Sequence, residues 1–173
     1  RNDSCGAFIW KTSKQTKGRS KMGTRSRIVL DRADNFKVNN LMSMYVHYDG
    51  YLEYNGKMLL QHYDNSKKLE DLIVHVGGYA SALKDTPEQT REESVHRESI
   101  EYHSSEEELM DWCDNSDIEY VYLLRNNVWY VSRRNSAIIE DRYQGSYYYY
   151  WTKFVRLADQ KEVQSKPDLK VVQ

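Results

Sequence analysis

Apolar and polar positions along this chain change their period several times, and each change predicts an element. RSRIVL at 25 to 30 reads as a strand, and LMSMYVH at 41 to 47 reads as its hairpin partner. Between them DRADNFKVNN supplies the Asp, Asn and charge of a longer connection. After Asp49-Gly50 the spacing becomes helical, since Leu52, Met58, Leu59, His62 and Tyr63 share a face, and Asn55 is expected to be the N-cap. A second helix is predicted from Ser66 as N-cap, with Leu69, Leu72, Ile73 and Val76 at i, i+3, i+4 and i+7 and Gly77-Gly78 as its stop.

Residues 84 to 103 are mostly charged and polar, and only Val95, Ile100 and Tyr102 are candidates for burial there. That composition suits an exposed insertion or a partly mobile helix. SSEEELMDWC then predicts a short helix capped by Ser104 or Ser105, with Glu106, Glu107 and Glu108 at the positive end of its dipole. EYVYLLR at 119 to 125 and VWYVSRR at 128 to 134 predict a tight hairpin through Asn126-Asn127. YYYYWTKFVRL at 147 to 157 predicts one more long strand.

The expected fold is one α+β domain: an antiparallel sheet of four to five strands with about three helices packed on one face. Its expected limits are 22 to 158, with 84 to 103 as a polar insertion, 159 to 173 as a polar tail and 1 to 21 as a basic extension. A chain of 173 residues holds one such domain with a real core. The 22 aromatics, 15 of them Tyr, offset a polar composition by burying large areas behind a polar handle.

Charge separates the ends. Arg1, Lys11, Lys14, Lys17, Arg19 and Lys21 face Asp3 alone, a net of +5, which leaves −6 for the rest of a chain whose net charge is −1. The whole molecule therefore carries no field that draws it to DNA or to an anionic membrane. No run reaches the roughly 18 to 20 apolar residues that span a bilayer, and AFIW at 7 to 10 is too short for a secretory h-region. A cytoplasmic protein is expected, with Cys5 and Cys113 as free thiols.

Met22-Gly23-Thr24-Arg25-Ser26-Arg27-Ile28, then His47-Tyr48-Asp49-Gly50-Tyr51 and Gly56-Lys57 before Leu59-Leu60, resemble a group of small, uncharacterised bacteriophage-encoded proteins. Those proteins carry a Thr-Arg-Ser strand and a His-Trp-Asp-Gly-Tyr stretch, and Tyr48 stands here where they have Trp. The resemblance spans roughly 22 to 83. It implies an infected bacterial cytoplasm, Met22 as natural start, and action by binding a host protein or defence component. It brings no catalytic residues with it.

Candidate chemistry gathers on the same stretch. His47 and Asp49 would share a strand face as an acid-base pair, but Asp-Gly is also common turn chemistry, and the turn reading is preferred. Arg25 and Arg27 alternate on one strand face; with His47, Asp49, Tyr51 and with Lys57 at a helix start they are the candidate binding residues, and a phosphate is the ligand they would suit. Surface arginines without a ligand remain the simpler alternative. Tyr147 to Tyr150 and Trp151 offer rings for base stacking or, more simply, for the core.

Neither a zinc spacing, a P-loop, a nucleophile elbow nor a Rossmann glycine pattern is present, so no metal and no cofactor is expected. The leading expectation is a non-enzymatic phage accessory protein. The alternative is a nucleotide or nucleic-acid binder using Arg25, Arg27, Lys57 and the exposed tyrosines. A small hydrolase or phosphoryl-transfer enzyme using His47 and Asp49 is the minor one.

Overall fold

A computed structural model describes residues 23–32, 40–139 and 146–164, so the predicted basic extension at 1 to 21 lies outside the described residues. In chain order the elements are β1 (Ser26–Asp31), β2 (Leu41–Val46), a π-helical turn (Leu52–Gly56), α1 (Lys57–His62), α2 (Ser66–Val76), β3 (Tyr79–Ala80) and α3 (Pro87–Glu92). There follow β4 (Glu101–His103), α4 (Glu106–Asp114), β5 (Tyr120–Arg125), β6 (Val128–Ile139), β7 (Ser146–Trp151), β8 (Val155–Arg156), a 3₁₀ turn (Leu157–Asp159) and α5 (Lys161–Gln164).

The fold is α+β, but its sheet is mixed and has eight strands among the described residues rather than four or five antiparallel ones. Its order is β3-β2-β1-β5-β6-β7, with β4 also paired to β2 and β8 to β6. β1 pairs antiparallel with β2, placing Ile28 opposite Met44, and parallel with β5, placing Ile28 opposite Tyr122. A parallel partner so distant in sequence leaves no local turn signal. The burial of β1 does betray its central place, because SRIVL is buried at every position, the pattern of a strand covered on both faces.

Helices accordingly lie on both faces, not on one. Ile28, Leu30, Met44, Tyr122 and Leu124 meet Leu59 of α1 and Leu69, Leu72, Ile73 and Val76 of α2, with Leu157 and Val163 near the C-terminus completing the layer. On the opposite face Val29, Leu41, Val121 and Leu123 meet Leu109 and Cys113 of α4 and Ile118 after it. Each fully buried aliphatic side chain contributes roughly 1.5 to 3 kcal/mol of transfer free energy, so both layers hold the sheet in place.

Local chemistry explains the boundaries and corrects several expectations. α2 is capped one residue earlier than expected: the Asn65 side chain accepts from the Lys68 amide at 3.0 Å, and Ser66 is the first helical residue. Asn55 is no cap; it sits buried in the π-helical turn and donates to the Ser26 hydroxyl at 2.9 Å. α4 is capped by Ser105, whose side chain accepts from the Glu108 amide, while Glu108 accepts in turn from the Ser104 amide. Asn126 and Asn127 take φ of 50° and 57°, as the predicted tight hairpin requires.

The polar segment 84 to 103 exposes most of its residues but is tied to the fold at a few buried positions. Thr86 caps α3, Thr90 and Ser94 are buried, and Ser94 accepts from the Ser81 amide while donating to the Thr90 carbonyl. Its hydroxyls thus close backbone bonds instead of seeking water. Of the expected burials there, Val95 is 76% and Tyr102 44% exposed, and only Ile100 packs against the core. The strand expected over 147 to 157 breaks into β7 and β8, and the stretch after Asp159 includes α5, whose Val163 packs inward.

Candidate functional site

Strand alternation puts Arg25, Arg27 and Val29 of the first strand on the face that α4 covers, and the register sets Arg27 beside Tyr45 and Val29 beside Ser43. α4 covers only part of that face. Toward β2, β3 and β4 the apolar layer gives way to two polar and aromatic clusters.

The inner cluster surrounds Arg27, which is 1% exposed. Its Nε donates to Ser43 Oγ at 3.0 Å, its Nη2 lies 3.0 Å from Glu101 Oε2, and its guanidinium carbon stands 4.1 Å from the centre of the Trp112 ring. Burial pulls the pKa of this cation down and the Glu101 carboxylate opposes that pull. His103, 2% exposed, reaches the same Ser43 oxygen through Nε2 at 3.3 Å. Arg27 is therefore a structural tie between β1, β2, β4 and α4, and its charge is already matched.

The outer cluster is more open. Arg25 pairs with Asp117 at 2.7 Å, and further along this line of side chains the Tyr45 hydroxyl lies 3.0 Å from His47 Nδ1. Around this line the rings of Tyr48, Tyr79 and His96 close in: His47 meets Tyr48 edge-on at 4.4 Å, and Tyr79 meets His96 edge-on at 5.0 Å. Tyr79 is nearly buried, whereas Tyr48 is 49% exposed. Burial first, then the Arg25 cation, hold the His47 imidazole below its ordinary pKa, and burial pushes the Tyr45 phenol up to about 12.

The sequence-derived candidates are therefore divided. Arg25 and His47 do come together. Asp49 does not continue the strand beside His47 but sits in a turn at φ 59°. The strand ends at Val46, so the alternation that would have aligned His47 with Asp49 stops short of them. Lys57 opens α1, in the layer on the Ile28 face, across the sheet from Arg25 and Arg27. These residues do not enclose one anion-sized space, and both guanidiniums already face carboxylates.

Gly50 serves a purpose other than the positive φ that Asp-Gly suggested. Its amide donates to the Thr24 carbonyl at 2.8 Å and its carbonyl accepts from the Tyr122 hydroxyl at 2.7 Å. A Cβ here would lie 2.8 Å from the Thr24 oxygen and 2.9 Å from the Arg25 carbonyl carbon. Of the tyrosine run, Tyr149 lies under the Arg134 guanidinium, 5.0 Å away, while the side chains of Tyr147 and Tyr148 lie outside the described residues.

Reasoning from sequence overlooked Tyr45, Tyr79, His96 and Asp117. Tyr45 carried a signal, being two residues before His47 on one strand; the other three reach the cluster only through the tertiary fold. Among the described residues no group of three or more metal-ligating side chains gathers, and no helix is long and apolar enough to cross a membrane. No protein-family model, curated protein or solved structure matches this chain.

Proposed function

We propose that this protein is a non-enzymatic accessory protein of the bacteriophage setting its resemblance implies, and that it binds a host protein through the face built on His47, Tyr48, Tyr79 and His96. One observation carries the reading: a half-exposed imidazole and an exposed tyrosine are presented by side chains held to β2 and β3 through ring contacts and the Tyr45–His47 hydrogen bond. Aromatic anchors of this kind supply most of the affinity of protein interfaces, and a pre-positioned tyrosine loses little entropy on binding. Val95, 76% exposed and next to His96 in the chain, extends the surface with an apolar group.

A photoreactive amino acid at Val95, irradiated in lysate of the bacterial host, tests this. One discrete host-protein adduct is expected, and Tyr48→Ala is expected to abolish it. A smear of adducts, none at all, or an adduct indifferent to Tyr48→Ala would refute the reading.

A further inference from the structure

We infer that two copies of this chain join through β7, pairing antiparallel about Tyr149 so that one sheet runs through both. The direction of the backbone groups carries the inference. The Arg134 amide of β6 donates to the Glu119 carbonyl just before β5, whereas the neighbouring Arg133 turns to the other side, its amide donating to Thr152 Oγ1 and its carbonyl accepting from the Thr152 amide at 2.9 Å. The amide and carbonyl of a strand residue point the same way and alternate from one residue to the next, so Asn135, Ala137 and Ile139 turn theirs toward β7 and bond with Tyr150, Tyr148 and Ser146. Tyr147, Tyr149 and Trp151 therefore aim their backbone groups away from β6. Among the described residues no second strand lies beside β7, and no backbone bond claims those groups.

The other edges are closed or short. Beside β3 the Gly78 amide donates to the Glu98 carbonyl and the Ser81 amide to Ser94 Oγ, while β4 has three residues and β8 two. β7 runs opposite β6 in unbroken register from Ser146 to Trp151, and its sequence SYYYYW holds no charge, Pro or bulge of the kind that keeps edges apart. Beyond Arg134, β7 is the one strand partner of β6 among the described residues, and a two-stranded ribbon is marginal in water until a further strand or layer joins it. A second copy is the occupant because the strand is its own complement. With Tyr149 on a two-fold axis, the two Tyr149 residues exchange both backbone bonds, and Tyr147 of each copy exchanges them with Trp151 of the other. No charge meets its like along that seam, and the whole chain carries only −1. The Tyr149 ring, 5.0 Å from the Arg134 guanidinium, meets its own counterpart on one face of the joined sheet, an aromatic cross-strand pair.

Sedimentation equilibrium of the full chain, with amide hydrogen exchange on the same samples, tests this. A monomer–dimer equilibrium is expected, with the Tyr147, Tyr149 and Trp151 amides protected in the dimer and exchanging freely on dilution, while the Ser136 amide, on the ribbon's opposite edge, exchanges freely throughout. Tyr149→Pro removes an outward amide and spares the ladder to β6, and the two reciprocal bonds lost at the axis should weaken the dimer by about tenfold to a hundredfold. Tyr149→Thr loses the ring but keeps the amide, and should weaken it by less than about fivefold. A protein that stays monomeric up to about 1 mM overturns the inference. So does a dimer in which those three amides exchange freely, or equal weakening by the two variants. Should Tyr149→Pro fail to fold, the exchange pattern of the unaltered protein still decides. Protection that arises only when host lysate is added would mean that a foreign strand fills this edge, and it too would overturn the pairing of two copies.

Discussion

Between the Ile28 face and the Arg27 face of the same sheet, the covering layer changes in kind. On the first, Leu59, Leu69, Leu72, Ile73 and Val76 lay a continuous apolar sheet of side chains over Ile28, Met44 and Tyr122. On the second, Leu109 and Cys113 cover Val29 and Leu123, and then a buried arginine, two histidines and two tyrosines take over. Apolar contacts are forgiving in direction, whereas each polar group in the second layer requires a partner at one distance and angle. Both faces hold the sheet, and the second also fixes polar side chains in place for a surface to use.

The largest effect that tests this contrast comes from the apolar layer. Leu72→Ala removes a side chain that is fully buried under the sheet and is expected to lower stability by about 2 to 5 kcal/mol. His47→Ala, on the open part of the other face, is expected to change it by less than about 1 kcal/mol. Urea titrations of the two variants measure both, and comparable losses would erase the division of labour between the faces.

Gly50 comes next, at the junction where the chain leaves β2 for the helical layer. Because a Cβ there would press on backbone atoms of Thr24 and Arg25, Gly50→Ala is expected to cost about 1 to 3 kcal/mol even though its φ is unexceptional. Asp49→Asn should stay within about 0.5 kcal/mol, since Asn tolerates the left-handed turn that Asp49 adopts at φ 59°. If the ranking of the two were reversed, the Asp49 side chain rather than backbone proximity would govern this junction.

Periodicity made the apolar face legible, and little of the polar one. Leu69, Leu72, Ile73 and Val76 announce α2 by spacing alone, and Asn126-Asn127 announces its turn by conformational tolerance. What escaped were pairings between distant segments. Nothing near Ser26 says that it will lie parallel to Tyr120, and the alternation that marks Arg25 and Arg27 as one face cannot say whether that face is wet. Arg27 is buried because Glu101 and Trp112 arrive from β4 and α4, which no local pattern foretells. The candidate site was therefore half readable: His47 with Arg25 from the paired strands, but not Tyr79, His96 or Asp117.

The smallest expected effect is on pH dependence, and it belongs to the Arg27 face alone. His103 is faced by Arg27 from β1, by Ser43 from β2, by Glu101 from its own strand and by Glu108 and Trp112 from α4. Burial first, and then the Arg27 cation, hold its imidazole below the ordinary value of 6.5, with Glu101 and Glu108 opposing. His47 is lowered in the same direction by burial and Arg25. Unfolding frees both rings to take up protons near their ordinary value, so the unfolded chain binds more protons than the folded one once the pH drops below that range. Stability from these two groups is thus complete above about pH 6.5 and declines as the pH falls through their lower folded values. Denaturation midpoints should be level between about pH 7 and 8 and fall between about 6.5 and 5. His103→Gln should flatten part of that decline, and adding His47→Gln should flatten more of it. Acid unfolding of carboxylate origin would lie lower, near the range of Asp and Glu, which keeps the two causes apart. A decline of the same size in the double variant would place the titrating groups elsewhere and leave the Arg27 face as indifferent to pH as the apolar layer behind it.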